Sequence, residues 1–152
     1  MMSITYQKEN LKDFIGEFSE LLKPHMDEIN VSQRLGFEFK PDYARYIKMQ
    51  EAGIFVVVTC RSDKKLIGYT VFGVMPNIRY TDCKIAKEDL YYILPEYRGK
   101  GLGKRLFVVT EQALKDQGVN QIIFTTKVYS DNSHIFEKLG YEFYEKAFTK
   151  RI

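Results

Sequence analysis

Tryptophan is absent from the 152 residues, cysteine occurs only twice and proline four times. Cys60 and Cys83 share no Cys-x-x-Cys or Cys/His spacing. That argues against a disulfide framework or a zinc site and for reduced thiols in a cytoplasmic protein. No apolar run exceeds Ile54–Val58, which is far too short to span a bilayer. The start, Met1 to Thr5, has no basic stretch followed by an apolar one, so no signal peptide is expected. Internal repeats, linkers and low-complexity tracts are missing as well. One domain over residues 1–152 is therefore expected, long enough to bury a core without staples.

Hydrophobic residues make up 45%, with 11 Phe and 11 Tyr, and charged residues 28%, a composition that is not that of a disordered chain. The net charge is only +3, and its placement says more than its size. Residues 1–53 carry 7 basic and 9 acidic side chains, whereas the short segment Arg98–Arg105 carries four basic ones and no acid. A focus of cations in a glycine-rich segment suits a small polyanion such as a nucleotide phosphate. A nucleic-acid binder would spread its charge along a stripe and have a pI above the 8.7 of this chain, so no nucleic-acid partner is expected.

Periodicity supplies the elements. Ile4-Thr5-Tyr6 is a short strand. Leu11, Phe14, Ile15, Phe18, Leu21 and Leu22 recur at helical spacing behind Asn10, and Pro24 should end that helix. A short helix near Asp27–Val31 and a second from Pro41-Asp42 to Glu51 follow, the latter stopped by Gly53. Ile54–Cys60 and Leu66–Val74 read as a hairpin around Ser62–Lys65. Asp89–Leu94 is a strand terminated by Pro95. Leu102–Gln117 is the strongest helix, with Gly118 as its C-cap. Gln121–Val128 is a strand and Asn132–Leu139 a helix. Tyr141–Lys146 and Phe148–Ile152 look like two last strands. The order predicts a mixed α/β (α+β) fold, with a mostly antiparallel sheet of six or seven strands and helices on both faces.

The informative segment is Ile93-Leu94-Pro95-Glu96-Tyr97-Arg98-Gly99-Lys100-Gly101-Leu102-Gly103-Lys104, between a strand and a long helix. Glycines there let successive N–H groups converge, and the helix dipole adds positive potential. A Walker A loop fails, because Arg105 follows Gly103-Lys104 and Arg98 stands where its first glycine belongs. A G-x-G-x-x-G fingerprint from Gly99 fails at Lys104. Arg98-Gly99-Lys100-Gly101-Leu102-Gly103 does resemble the [RQ]-x-x-G-x-[GA] loop of the GNAT superfamily of N-acetyltransferases. The prefix Ile93-Leu94-Pro95-Glu96-Tyr97 and the later Phe136-Glu137-Lys138-Leu139-Gly140-Tyr141 resemble that family too, in the right order. The stretch from His25 through the Pro76-Asn77 loop resembles small members carried by bacteriophages.

The resemblance implies an enzyme that uses acetyl-CoA as cosubstrate and no metal. It places the coenzyme A pyrophosphate on Arg98, Gly99, Lys100, Gly101, Leu102, Gly103 and Lys104. It runs the pantetheine arm along the exposed edge Tyr91–Leu94, so that Tyr92, Ile93 and Leu94 join the cofactor site and main-chain N–H near Ile93 polarises the thioester carbonyl. Asn132 and Phe136 complete that site. Arg98 has the alternative of a surface cation, and Asn132 that of a helix N-cap.

The implied reaction is direct attack of an amine on the thioester. At neutral pH less than about one alkylamine in a thousand is uncharged, so a base is needed. The family's usual Glu position, six before Ile93, holds Lys87. Asp89 shares the strand parity of Ile93 and is the expected base, with Glu88 in reserve. The alternative for Asp89 is a strand-end carboxylate without duty. The family's Tyr acid is replaced by Phe136, which leaves two options: another tyrosine, Tyr129 being nearest in sequence, or departure of the thiolate unaided. His25, beside Asp27 and Glu28, falls where such proteins build the acceptor pocket. The expected partner is an amine on a small molecule or a protein, and a homodimer is compatible with this. The rival reading is a coenzyme A binding module without turnover.

Overall fold

The computed structural model describes residues 1–152. The elements are β1 (Ile4–Lys8), α1 (Leu11–Ile29), α2 (Val31–Arg34), α3 (Tyr43–Glu51), β2 (Phe55–Ser62), β3 (Lys65–Pro76), β4 (Lys84–Ile93), α4 (Leu102–Asp116), β5 (Gln121–Ile123) and α5 (Ser133–Lys138). The strands form one sheet in the order β1-β2-β3-β4-β5. Its first three pairings are antiparallel, and β4 pairs β5 in parallel.

Alternation along β2 and β3 divides the core between two faces. Val57, Leu66, Tyr69 and Val71 meet α1 and α3 through Leu11, Phe18, Leu22 and Tyr46. Val56, Val58, Phe72 and Ala86 meet α4 through Leu106 and Leu114. Helices thus cover both faces, as the element order predicts.

Three expectations change. Pro24 does not end α1, which runs on to Ile29. The residues after it carry His25, buried against Tyr69 and Tyr92, and that packing holds the helix together despite the missing N–H. The short helix expected at Asp27–Val31 is accordingly absorbed into α1 and followed by α2, across Asn30 at φ 27°. The sheet has five strands instead of six or seven. Beyond Ile123 the chain turns its polar groups inward, Thr125 to Glu88 and Thr126 to Ser130, so β5 offers no straight edge. Tyr141–Lys146 and Phe148–Ile152 form no strands, and Phe143 and Phe148 stay exposed. Tyr141 holds the first segment through its bond to Glu111 at 2.7 Å, and Arg151 holds the second, donating to the Leu35 carbonyl at 3.0 Å and lying over the Phe37 ring.

Two irregularities shape β4. Register shifts where Val71 faces Leu90 but Phe72 faces Glu88, so Asp89 is the extra residue of a bulge. In addition, β4 and β5 pair only over Ile85–Lys87, and past that point β4 has a free edge.

At the other edge of β4, Gly68 of β3 lies under the strand's end. A Cβ there would stand 2.5 Å from Ile93 Cδ1 and 2.6 Å from the Tyr92 carbonyl oxygen. The carbonyl belongs to the ladder and cannot rotate away. Gly68→Ala should therefore lower stability by about 1–3 kcal/mol through overpacking, read as a drop in the urea midpoint. An unchanged midpoint would show that β3 and β4 can part at no cost.

Candidate functional site

A cavity of about 580 Å³ opens where β4 leaves β5. The end of α1, the start of α4 and the β5–α5 segment complete its walls.

Its cationic end is the glycine-rich loop. Gly99 and Gly101 both adopt φ 76°, a left-handed conformation that side chains resist. Gly101 is the N-cap of the 15-residue α4. The N–H groups of residues 99–104 find no acceptor within the protein. These donors and the dipole of α4 make a cradle for an anion. Gly99, Gly101, Gly103 and Lys104 line the cavity. Lys100 and Leu102 do not: the Lys100 ammonium lies over the Tyr97 ring, and Leu102 packs into the core beneath α4. Their contribution to the cradle is backbone N–H.

Arg98 has a different post. Its Nε donates to the Ile93 carbonyl at 2.8 Å, and its two terminal nitrogens grip the Glu28 carboxylate at 2.7 and 2.8 Å. The guanidinium ties α1 to the end of β4 and holds the Glu28 carboxyl below its ordinary range.

The free edge of β4 runs along the cavity. The Leu94 N–H bonds back to Ile67 in β3, at 2.8 Å. Alternation along a strand then turns the N–H and C=O of Ile93 and Tyr91 toward the open side. Tyr92 and Ile93 line the cavity, whereas Leu94 packs into the core.

Both candidate bases line the cavity, from opposite faces of the sheet. The bulge reverses the parity on which Asp89 was expected to share the face of Ile93. Glu88 keeps the α4 side, opposite Phe72, while Asp89 joins the side of α1 and α3. Tyr46 of α3 donates to Asp89 Oδ2 at 2.9 Å. Glu88 Oε1 accepts from the Thr125 N–H at 3.1 Å and from its hydroxyl. Burial raises both carboxyls above their ordinary values.

Tyr129 is not brought to the cavity. Its hydroxyl donates to the Ile29 carbonyl, and the Arg34 guanidinium lies 4.3 Å from its ring centroid. Phe136 lies behind the wall, stacked on Phe124 at 4.5 Å. Asn132 does precede α5, but its side chain caps nothing and points to the Tyr91 hydroxyl, at 3.4 Å. Sequence reasoning passed over Thr125 and Lys127 and took Tyr91 only as part of the strand edge, yet all three line the cavity. Nothing local in the sequence marks them, because the parting of β4 and β5 brings them together.

His25 is buried in the same wall. Its ring stacks on Tyr92 at 4.5 Å, and its Nδ1 lies 2.8 Å from the hydroxyl of Tyr69. That hydroxyl is fully buried and has no other partner, so it donates to Nδ1 and leaves the proton of His25 on Nε2. No group of three or more His, Cys, Asp or Glu side chains is placed to hold a metal ion. No helix is long and apolar enough to cross a membrane.

The comparisons agree with this geometry. The family model described as "Acetyltransferase (GNAT) family" matches residues 21–141. A relative from Chlorobaculum tepidum, an uncharacterized N-acetyltransferase, is 32% identical over 71 residues, which span 47% of this chain and 43% of that protein. Among solved structures, a ribosomal-protein-alanine N-acetyltransferase from Brucella melitensis biovar Abortus matches with a TM-score of 0.75 and 18% identity, over 99% of both chains. A predicted acetyltransferase from Clostridium acetobutylicum, solved with acetyl-CoA, matches with a TM-score of 0.73 and 13% identity, over 98% of this chain and 96% of that one. The chain belongs to the GNAT family of acetyltransferases. The likeness to bacteriophage members is not borne out by these relatives.

The buried His25 has a pH signature. Burial lowers its pKa from 6.5 to about 4, with Glu28 opposing the shift and Arg98 and Lys127 adding to it. Between those values the unfolded chain binds a proton that the folded chain refuses. The stabilising contribution is complete above pH 6.5 and declines by about 1.4 kcal/mol per pH unit as the pH falls toward 4. From pH 7 to 5 the wild type should lose about 2 kcal/mol more than His25→Gln in urea unfolding. Parallel losses would mean that His25 titrates normally in the fold.

Proposed function

We propose that this protein transfers the acetyl group of acetyl-CoA to a primary amine, on a small molecule or a protein, by direct attack of the amine on the thioester. The observation that carries this reading is the run of acceptor-free N–H groups at residues 99–104, set at the start of α4 beside the free edge of β4. That cradle fits a pyrophosphate, and the edge fits an amide-bearing arm extended from it. The N–H groups of Gly99, Lys100, Gly101, Leu102, Gly103 and Lys104 would hold the anion, with Arg98 at the adjoining wall held by Glu28. Tyr92, Ile93 and Asn132 would flank the arm.

The acceptor enters from the side of α1 and α3. Asp89 on that side takes the amine proton, and Glu88 is the alternative base. A raised carboxyl pKa suits the task, since it brings the base nearer to the working pH. The Ile93 N–H faces the open edge, where it can polarise the thioester carbonyl. We place the protein in the cytoplasm, in keeping with its two free cysteines. A second reading, a coenzyme A binding module without turnover, is favoured by one observation: neither Phe136 nor Tyr129 brings a hydroxyl to the cavity. Release of free thiol from acetyl-CoA across a panel of amines separates the two readings.

Gly103 offers a clean test of the cradle. It lines the cavity, its φ lies outside the left-handed region, and a Cβ on it would meet nothing within 4 Å. Gly103→Val should leave the melting temperature unchanged or slightly raised, since glycine is the poorer residue in a helix. It should weaken acetyl-CoA at least tenfold by calorimetry. Wild-type affinity in a folded variant would remove the loop from the site.

For the base, Asp89→Asn should lower turnover by about 10²–10⁴ with little effect on acetyl-CoA affinity. Wild-type activity should rise with pH as the carboxyl ionises. In the variant the rise should shift upward, toward the pKa of the acceptor amine. Full turnover in Asp89→Asn would move the base to Glu88.

A further inference from the structure

Breaking the thioester leaves a thiolate, and neither Phe136 nor Tyr129 supplies it with a proton. Phe136 has no hydroxyl, and that of Tyr129, a residue that does not line the cavity, is spent on the Ile29 carbonyl. One tyrosine hydroxyl does lie in the fork between β4 and β5. Tyr91 lines the cavity, and its Oη donates to the Thr125 carbonyl at 2.9 Å. The Asn132 side-chain amide donates to that same Oη at 3.4 Å. The ring is fixed edge-on between Phe107, at 5.5 Å, and Phe136, at 5.9 Å.

We infer that Tyr91 is the general acid of this enzyme, handing its phenolic proton to the sulfur of coenzyme A as the carbon–sulfur bond breaks. This rests on the acetyl-transfer reading above and adds a catalytic residue to it. The amine nitrogen bonds to the thioester carbon, and the carbon–sulfur bond electrons leave with sulfur. Tyr91 rotates its O–H from the Thr125 carbonyl to the sulfur and becomes a phenolate, while the proton lost by nitrogen passes to Asp89. The products are an amide and a free thiol, and Tyr91 regains a proton from solvent.

The surroundings suit a proton that leaves and returns. Donation from Asn132 favours the phenolate, whereas burial disfavours it and is the larger influence, so the hydroxyl is protonated at neutral pH. Glu88 on β4 and Asp131 before α5 also face it and raise its pKa. From α4 and α5 it meets the rings of Phe107 and Phe136, and Lys104, Lys127, His134 and Lys138 share the cavity wall. This also gives Asn132 a task that a helix cap would not.

The test measures steady-state thiol release with one accepted amine, together with acetyl-CoA affinity. Thiol release by the wild type tests the acetyl-transfer reading, and the variants test the acid. Tyr91→Phe should lower kcat at least tenfold with acetyl-CoA affinity within about twofold. Adding Phe136→Tyr to that variant should restore part of the loss, because it returns a hydroxyl to a ring in edge contact with position 91. A merely structural Tyr91 would not be rescued in this way. A fluorinated tyrosine at position 91 keeps the hydroxyl and the fold but is more acidic. It should move the alkaline decline of kcat to lower pH. Wild-type kcat in folded Tyr91→Phe, or an unmoved alkaline limb with the fluorinated residue, would overturn the assignment and leave unassisted departure of the thiolate.

Discussion

The parting of β4 from β5 is the constraint on which the rest depends. The two strands pair over three residues and then separate, leaving main-chain groups of β4 without a ladder. Unpaired backbone groups are costly when buried, so such an edge persists only where water or a ligand can reach it. The Asp89 bulge sits one residue beyond the last residue facing Phe72 and adds local twist at the point of separation. The same irregularity reverses the parity of Glu88 and Asp89 relative to Ile93, so that Glu88 shares the α4 side with Ile93 and Asp89 takes the side of α1 and α3.

Charge is sorted along the cavity by the same architecture. The start of α4 supplies a positive end without relying on side chains, since six N–H groups and a helix dipole act there. The mobile cations are correspondingly free for other work, and Arg98 shows the result. Its three-point bond to Glu28 and Ile93 clamps the end of α1 over the end of β4. On the other side of the cavity stand carboxylates, of which Glu28 is already neutralised by that clamp. The remaining acidic field there is therefore set by Glu88 and Asp89, the two carboxyls whose pKa values burial raises.

Much of the site was readable from residues alone where its chemistry is local. The alternate glycines at 99, 101 and 103, between a strand and a helix, had one good physical use, and in the structure Gly99 and Gly101 are left-handed while Gly103 opens the helix. Likewise the β-branched run in β2 and the stripe of α4 specified their own elements. What failed depended on distant partners. Parity along β4 could not reveal a bulge, because bulges arise from register with β3. Pro24 looked like a terminator, but the pocket between Tyr69 and Tyr92 rewards a helix that continues to His25. The last two segments alternate like strands, yet β5 turns away too early to template them. Tyr129 was favoured by nearness in sequence to α5, whereas Tyr91 reaches the same neighbourhood across the sheet.

The exchange between positions 91 and 136 has a packing logic. Phe107, Phe124, Phe136, Tyr91 and Tyr141 form one aromatic cluster that reaches the cavity at Tyr91 and Phe107. Phe136 is its centre, 7% exposed and stacked face to face on Phe124. A hydroxyl carried there needs a partner or a path to the cavity, because a buried unpaired hydroxyl costs about 1–3 kcal/mol. Tyr91 approaches from the sheet with its ring at a right angle to Phe136 and its oxygen at the cavity wall, where Thr125 and Asn132 satisfy it. One hydroxyl with two partners is thus kept at the fork of the strands. The helix that would ordinarily carry it is free to close the apolar wall. On the proposed reading, a change that looks like a lost acid in the sequence is, in three dimensions, a hydroxyl moved to the strand with the free edge.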